Sequence, residues 1–181
     1  MKIIPNQTAP DFQVRDLYGE PVRLSALNGH KILLTFYRTA GCPVCNVNFH
    51  EREKEAAYFR AAGLVLLAVY ASQPDNLLNY VSEQAVYPVM IPDPERTLYT
   101  LYDTERSLGK LLRGLLFHGV LGQMNKGKQR FTRKVTDDGP ADLINADFLI
   151  DATGRVVRAH YGRYSGDFLP IIEIKAFAGQ P

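Results

Sequence analysis

The chain has 181 residues, which suits one domain of ordinary size whose core needs no disulfide or metal to hold it. Hydrophobic residues make up 46% of the chain and charged residues 22%, a composition that argues against a disordered or fibrous protein. The formal net charge of +2 is too small to indicate a class of partner. We therefore predict a single globular domain over residues 1–181.

The first strong element in chain order is the apolar and aromatic run from Lys31 to Tyr37, which follows Asn28-Gly29 and predicts a buried strand. A helix is expected next, because Pro43 suits a first helical position and good helix formers continue to a stop at Gly63. The run from Leu64 to Tyr70 predicts a second buried strand. These elements form a βαβ unit with parallel strands, in which the end of the first strand lies beside the start of the helix.

Shorter elements are predicted along the rest of the chain. They are a helix over 74–84, a strand over 89–91, helices in at least two pieces over 96–116, a hairpin of strands over 148–151 and 156–161, and a closing helix over 167–178. We also predict an insertion over 107–142. Its part from 119 to 140 is rich in Gly, Lys and polar residues and has little periodicity, which indicates a long surface segment.

Basic residues concentrate in this region. From Glu105 to Lys134 there are eight Lys or Arg and one acidic residue. No nucleic-acid-binding motif accompanies the cluster, so we interpret it as a solvated loop and expect no nucleic-acid partner. The basic residues are Arg106, Lys110, Arg113, Lys126, Lys128, Arg130, Arg133 and Lys134.

No segment of the sequence suits a membrane or an export signal. The longest apolar run, 64–70, has seven residues, whereas a membrane-spanning helix needs about twenty. The first six residues show no apolar core followed by a small-residue cleavage site. We therefore expect no membrane contact and a cytoplasmic location. In that reducing compartment, two cysteines indicate catalysis or metal binding rather than a structural bridge.

The two cysteines, Cys42 and Cys45, occur as Cys-Pro-Val-Cys at the predicted strand–helix junction. A cysteine at a helix N-terminus has its thiolate favoured by free backbone N–H groups and by the helix dipole. The three-residue offset is nearly one helical turn, so one sulfur can attack a substrate while the other resolves the intermediate. This pattern predicts a redox-active dithiol.

Three other interpretations of the cysteines compete with this one. A zinc site would need further ligands, but there are no other cysteines and the four histidines lack finger-like spacing, so we expect no metal and no other cofactor. A purely structural disulfide would close too small a loop to gain much stability. The thiols could also be buried packing residues, although their place at a helix start argues against that.

Motifs along most of the chain resemble one family. The sequence FYRTAGCPVCN at 36–46 resembles the active-site strand and loop of peroxiredoxin-like proteins of the alkyl hydroperoxide reductase and thiol-specific antioxidant (AhpC/TSA) superfamily. Residues 9–12, 91–95 and 146–151 are similar to its opening hairpin, its aspartate-proline segment and its late strand. The resemblance implies a thioredoxin-like α/β fold, with a central mixed β-sheet flanked by helices and a helical or loop insertion before the last hairpin.

The resemblance also implies roles for individual residues. Cys45 aligns with the peroxidatic cysteine of the family's Pro-x-x-x-Thr/Ser-x-x-Cys pattern, and Cys42 takes the Thr/Ser position, whose hydroxyl orients the peroxide in those enzymes. A second thiol there makes the site similar to a thioredoxin dithiol, in which Cys42 would be the exposed nucleophile. The family's motif proline is Arg38 here, and its late-strand arginine aligns with Asn145.

Two polar residues before the cysteines are further candidates. We expect Arg38 to favour thiolate and to bind a peroxide or carboxylate oxygen, and the alternative is a surface arginine at the end of a strand. Thr39 can hydrogen-bond a thiolate or a substrate, or it can serve the turn alone.

Together, the dithiol and the resemblance predict a thiol-dependent antioxidant enzyme that reduces hydroperoxides. It would cycle through a Cys42–Cys45 disulfide and be re-reduced by a thioredoxin-type or low-molecular-weight thiol. One alternative is a thioredoxin-like reductase of protein disulfides, and another is a non-enzymatic redox sensor or interaction protein. The sequence leaves open which cysteine attacks first and which thiol is the reductant, and a homodimer is one assembly we consider.

Overall fold

The computed structural model describes residues 1–81, 86–122, 124–125 and 137–180. Its strands include β1 (Gln13–Arg15), β2 (Pro21–Arg23), β3 (Lys31–Phe36), β4 (Leu64–Tyr70), β5 (Val89–Pro92), β6 (Ala146–Ile150) and β7 (Val156–Tyr161). Its helices include α1 (Pro43–Glu53), α2 (Ala56–Ala61), α3 (Pro74–Val81), α4 (Thr97–Leu101), α5 (Leu108–Phe117) and α6 (Ile171–Ala178). This element order confirms the predicted α/β class.

A five-stranded mixed sheet forms the centre of the fold, in the order β5-β4-β3-β6-β7. Strands β3, β4 and β5 are parallel, whereas β6 is antiparallel to β3 and β7 is antiparallel to β6. Phe36, the last residue of β3, pairs with Val69 on one side and with Ala146 on the other. The β3–α1 junction that carries the cysteines therefore follows the carboxyl end of the central strand of the sheet.

Both faces of the sheet are covered, and alternate residues of β3 point to opposite faces. Ile32, Leu34 and Phe36 belong to a core shared with α4 and with the separate β1–β2 hairpin. On the other face, Leu33 packs with residues of α2 and α6, and Tyr37 packs with residues of α1 and α3. The predicted mixed sheet flanked by helices is thus confirmed.

The long helix predicted after the first strand is interrupted. Helix α1 ends at Glu53 and α2 begins at Ala56. Glu55 has φ −94° and ψ 5°, outside ordinary helical geometry. After this break, Phe59 of α2 is fully buried. The helical segment ends before Gly63, whose φ of 66° is a backbone conformation that suits glycine.

Of two other predicted helices, one differs from the prediction at its start and the other is described only in part. The closing helix begins at Ile171 rather than at Asp167, because Pro170 has extended backbone with ψ 140° and a proline also disfavours helical geometry in the residue before it. Helix α3 ends at Val81, and residues 82–84 of the predicted helix lie outside the described residues.

The segment predicted as a surface insertion reaches into the core. Val120 is buried in the same apolar cluster as both cysteines, so the interpretation of 119–140 as a surface segment is wrong at this residue. The basic residues at 126, 128, 130, 133 and 134 lie outside the described residues. In the part of the chain that the structure describes, no helix is long and apolar enough to cross a membrane.

Candidate active site

The β3–α1 junction places Cys42 at the N-cap of α1 and Cys45 in its first turn. Pro43 occupies the first helical position, where its missing N–H group has no helical partner to lose. The Sγ atom of Cys42 accepts a hydrogen bond from the backbone N–H of Cys45 at 3.4 Å, and the Sγ atom of Cys45 accepts one from the backbone N–H of Arg38, also at 3.4 Å. Backbone dipoles therefore favour negative charge on the sulfurs.

Both thiols are free and buried. Cys42 is 0% exposed and Cys45 is 2% exposed, so the expectation that Cys42 is an exposed nucleophile is wrong for this structure. The physical reason is the packing around them, in which Val120 of the insertion and Val44 of α1 join the same cluster. Neither sulfur is therefore openly accessible in this structure.

The pKa values of the two thiols are shifted in opposite directions. Burial by itself raises the pKa of Cys42, yet the hydrogen bond from the Cys45 thiol, the Arg38 guanidinium and the Cys45 N–H together lower it to about 7. Burial raises the pKa of Cys45 well above its usual range, and the bond to Cys42 and the negative charge there add to this. At neutral pH about half of the Cys42 thiol is therefore ionised, and the fraction rises above that pH, while the Cys45 thiol stays protonated.

Arg38 lies beside this pair and is not a solvated surface residue, since only 12% of its side chain is exposed. Its Nη2 donates to Oδ2 of Asp137 at 3.3 Å. Its Nε is buried and has no hydrogen-bond partner among the described residues. The guanidinium lowers the pKa of Cys42 and opposes the rise in the pKa of Cys45.

Thr39 is fully buried, and its Oγ1 donates to Oδ1 of Asp137. The next residue, Asp138, accepts from Ser72 Oγ at 2.7 Å and from the backbone N–H of Gln73 at 2.8 Å. The sequence analysis missed both aspartates. They are about a hundred residues from Thr39 along the chain, and the only local signal is an acidic pair that follows a basic run.

The loop that leads to Cys42 is held from two sides. The backbone N–H of Ala40 donates to Ser72 Oγ at 2.8 Å, and Asn46 Nδ2 donates to the carbonyl of Ala40 at 3.0 Å. The backbone N–H of Cys42 in turn donates to the carbonyl of Thr39 at 3.1 Å. These bonds fix the entry into α1 and hence the position of the first sulfur.

Asn145 lies just before β6 and is buried, but its side chain is used by another loop. Its Nδ2 donates to the carbonyl of Asp167 at 2.5 Å, and its Oδ1 accepts from the N–H of Gly166 at 2.9 Å. Among the described residues it has no hydrogen bond to either cysteine. The structure therefore brings together Arg38, Thr39 and the two cysteines. The side-chain amide of Asn145 instead forms hydrogen bonds to the backbone of the loop at 166–167.

A buried ion pair anchors the helix that carries the cysteines. Arg52 of α1 is 1% exposed and pairs with the fully buried Asp147 of β6 at 2.9 Å. Arg52 also donates to Thr35 Oγ1 at 2.6 Å and to Tyr37 OH at 3.3 Å. Helix α1 is thus tied to β3 and β6 about two turns beyond Cys45, through contacts that were not predicted from the sequence.

The described residues contain no group of three or more His, Cys, Asp and Glu side chains that could hold a metal ion. The groups that the structure places at the site are a thiol whose pKa is lowered to about 7, a second thiol bonded to it, and a guanidinium.

The sequence is similar to those of known redox proteins. Peroxiredoxin Bcp of Escherichia coli (strain K12) is 25% identical over 149 residues, which are 82% of this chain and 79% of that protein. The thiol-disulfide oxidoreductase ResA of Halalkalibacterium halodurans is 32% identical over 87 residues, 47% of this chain and 49% of that protein. Both relatives are named for thiol chemistry.

The fold has solved counterparts. The crystal structure of peroxidoxin BcpB from Mycobacterium tuberculosis superposes with a TM-score of 0.69 at 16% identity, over 96% of this chain and 95% of that one. This likeness confirms the predicted thioredoxin-like fold. The model of the AhpC/TSA family matches residues 5–159. The protein therefore belongs to the AhpC/TSA family, as a peroxiredoxin-like thiol oxidoreductase.

Proposed function

We propose that this protein is a thiol-dependent peroxidase in which Cys42 attacks the hydroperoxide and Cys45 resolves the product. The observation that carries the proposal is the charge distribution at the dithiol. The pKa of Cys42 is about 7, while the Cys45 thiol is protonated and bonded to it. A thiolate is the nucleophile in such reactions, and a second thiol is needed to close the cycle.

The first step forms a sulfenic acid. The Cys42 thiolate attacks the terminal oxygen of the hydroperoxide, the O–O bond breaks, and the second oxygen leaves with the electron pair and takes up a proton. Cys45 then attacks the Cys42 sulfur. Its proton goes to the departing hydroxide, so one water leaves and the Cys42–Cys45 disulfide forms. Two thiols of an external reductant restore the starting state.

Arg38 and Thr39 supply the polar groups around this reaction. Arg38 favours the Cys42 thiolate and carries a buried, unpartnered Nε. We propose that Arg38 and Thr39 together bind the peroxide oxygens, replacing the proline and the hydroxyl of the family's motif. We assign Asn145 an indirect, positioning role, because its amide holds the backbone at Gly166 and Asp167 beside the start of β6.

The reaction partners follow from this chemistry. We propose a hydroperoxide substrate and a thioredoxin-type or low-molecular-weight thiol as the reductant. Reduction of protein disulfides is a second candidate, which the partial similarity to ResA and the Cys-Pro-Val-Cys sequence favour. The burial of both sulfurs favours the small substrate over the large one. A cytoplasmic location and a homodimer stay predictions from the sequence.

Comparing two turnover rates tests this assignment. Purified reduced protein would be assayed for consumption of hydrogen peroxide or an alkyl hydroperoxide, and separately for reduction of insulin disulfides. We expect peroxide turnover to exceed disulfide reduction and to be lost in both Cys42→Ser and Cys45→Ser, because each variant lacks one partner of the disulfide. Rapid insulin reduction with slow peroxide consumption would contradict the proposal and make the protein a disulfide reductase.

A further inference from the structure

One carboxylate of the chain already sits where the proposed substrate oxygens would bind. Asp137 accepts from Thr39 through Oδ1 and from Arg38 through Oδ2. Both carboxylate oxygens are thus engaged by the two residues assigned to the peroxide. Asp137 itself is nearly half exposed, so nothing about its own burial requires this contact.

Two following residues fasten this carboxylate in place. Asp138 bonds Ser72 and the backbone of Gln73, as described above. Gly139 packs so closely that a Cβ atom there would lie 2.7 Å from Thr39 Cγ2 and 2.8 Å from the carbonyl oxygen of Ala71. We call residues 137–139 the acidic clasp, because their carboxylates and close packing hold the loop that precedes Cys42.

The position of the clasp affects the thiolate in two ways. The charge of Asp137 opposes ionisation of Cys42, whereas the charge of Arg38 favours it. Asp137 therefore competes with the thiolate for the same guanidinium. In addition, the clasp holds Thr39, whose carbonyl accepts the backbone N–H of the fully buried Cys42.

We propose that the acidic clasp is an autoinhibitory strap: Asp137 occupies the oxygen-binding site of Arg38 and Thr39, and the dithiol becomes accessible when the clasp opens. The proposal rests on the proposed function for the role that it gives to Arg38 and Thr39. An incoming substrate displaces the Asp137 carboxylate, and Arg38 is then free to act on the substrate oxygen and the thiolate. Local opening of this kind needs only a few hydrogen bonds to break.

Alkylation of Cys42 measures clasp opening without any peroxide. Reduced protein would be treated with iodoacetamide at about pH 9, where a thiol with a pKa of about 7 is already ionised, so that rate differences report access rather than charge. Asp137→Asn weakens the ionic contacts, and Gly139→Ala pushes the clasp away without changing charge. Tandem mass spectrometry locates the adduct on Cys42.

A carboxylate outside the clasp supplies the matched control. Asp103 pairs with the amino terminus of Met1 and has φ 50°, a conformation that asparagine tolerates. We expect Asp103→Asn to alkylate like the unmodified protein. We expect both clasp variants to alkylate about tenfold faster or more, since the modification rate of a buried group follows the population of its open form.

Alkylation of Asp137→Asn and Gly139→Ala within about twofold of the unmodified protein, with far-UV spectra and unfolding midpoints preserved, would overturn the autoinhibition. If Gly139→Ala does not fold, Asp137→Asn decides alone. The readout also separates the two proposals. Fast alkylation of the clasp variants together with absent peroxide turnover would refute the peroxidase assignment and leave the clasp standing.

Discussion

At the scale of single residues, the two cysteines are three positions apart, and yet the pKa of Cys42 is lowered while that of Cys45 is raised. Alignment with the family's motif puts Cys45 at the peroxidatic position. The geometry favours Cys42 instead, because it is the N-cap of α1 and receives hydrogen bonds from both the thiol and the N–H of Cys45. The order of attack that we propose therefore rests on local electrostatics, which a motif alone does not contain.

The pH dependence of alkylation tests this charge assignment. We expect the rate of Cys42 alkylation to rise with pH through a midpoint at about 7 and then to level off, since protonation below the pKa removes the thiolate. In Arg38→Ala the midpoint should move upward, because the guanidinium that lowers the pKa is gone. Iodoacetamide kinetics across a pH series measure both midpoints.

Arg158→Ala is the control for this measurement. Arg158 is an exposed arginine on the outer strand β7, and it forms an ion pair with Glu173 of α6. Its loss should leave the midpoint of Cys42 where it is. An unchanged midpoint in Arg38→Ala would show that Arg38 does not replace the family's missing arginine.

Some of these residues could be found from the sequence, and others could not. Cys42, Cys45 and Arg38 lie in one continuous motif, so their proximity follows from the strand–helix junction. Asp137 lies within the predicted insertion, in its part without periodicity, and no local rule predicts its contact with Arg38 and Thr39. The burial of Cys42 was missed for the same reason, because distant residues cause it.

At the scale of elements, α1 carries the dithiol and is locked to the sheet by a buried ion pair. Arg52 reaches Asp147 on β6 and Thr35 on β3, so one side chain connects three elements. The sequence predicted the strand, the helix and their order, because apolar runs and Pro43 mark them. It did not predict the pair, because Arg52 and Asp147 are 95 residues apart along the chain.

Replacing Arg52 by Met should destabilise the fold strongly. The buried Asp147 would lose its countercharge, and breaking such a pair costs about 3–5 kcal/mol. Urea unfolding of the reduced protein gives the change in the free energy of unfolding. The double variant Arg52→Met/Asp147→Leu should recover part of the loss, since no lone charge is then left in the core.

An exposed pair on the same helix provides the comparison. Lys54 contacts Glu51 at 2.8 Å, with about half of its side chain exposed. Lys54→Met should cost no more than about 1 kcal/mol, as expected for surface ion pairs. If Arg52→Met cost no more than Lys54→Met, the ion pair would not be what holds α1 on the sheet.

At the scale of the whole molecule, a thioredoxin-like sheet carries the peroxiredoxin-like junction, and the described residues Val120 and Asp137 of the predicted insertion contact the surroundings of that junction. The central sheet with flanking helices followed from the order of the apolar runs, and the family motifs cover most of the chain. The contacts of the predicted insertion at Val120 and Asp137 did not follow, because they depend on packing between distant segments.

The most direct test of the account is to trap the first product of a single turnover. Reduced protein would be mixed with one equivalent of hydrogen peroxide in the presence of dimedone, which reacts with sulfenic acids, and the products analysed by mass spectrometry. We predict that the unmodified protein forms the Cys42–Cys45 disulfide, that Cys45→Ser gives a dimedone adduct on Cys42, and that Cys42→Ser gives none. A dimedone adduct on Cys45 in Cys42→Ser, formed as fast as the disulfide in the unmodified protein, would contradict the assignment of Cys42 as the attacking thiol.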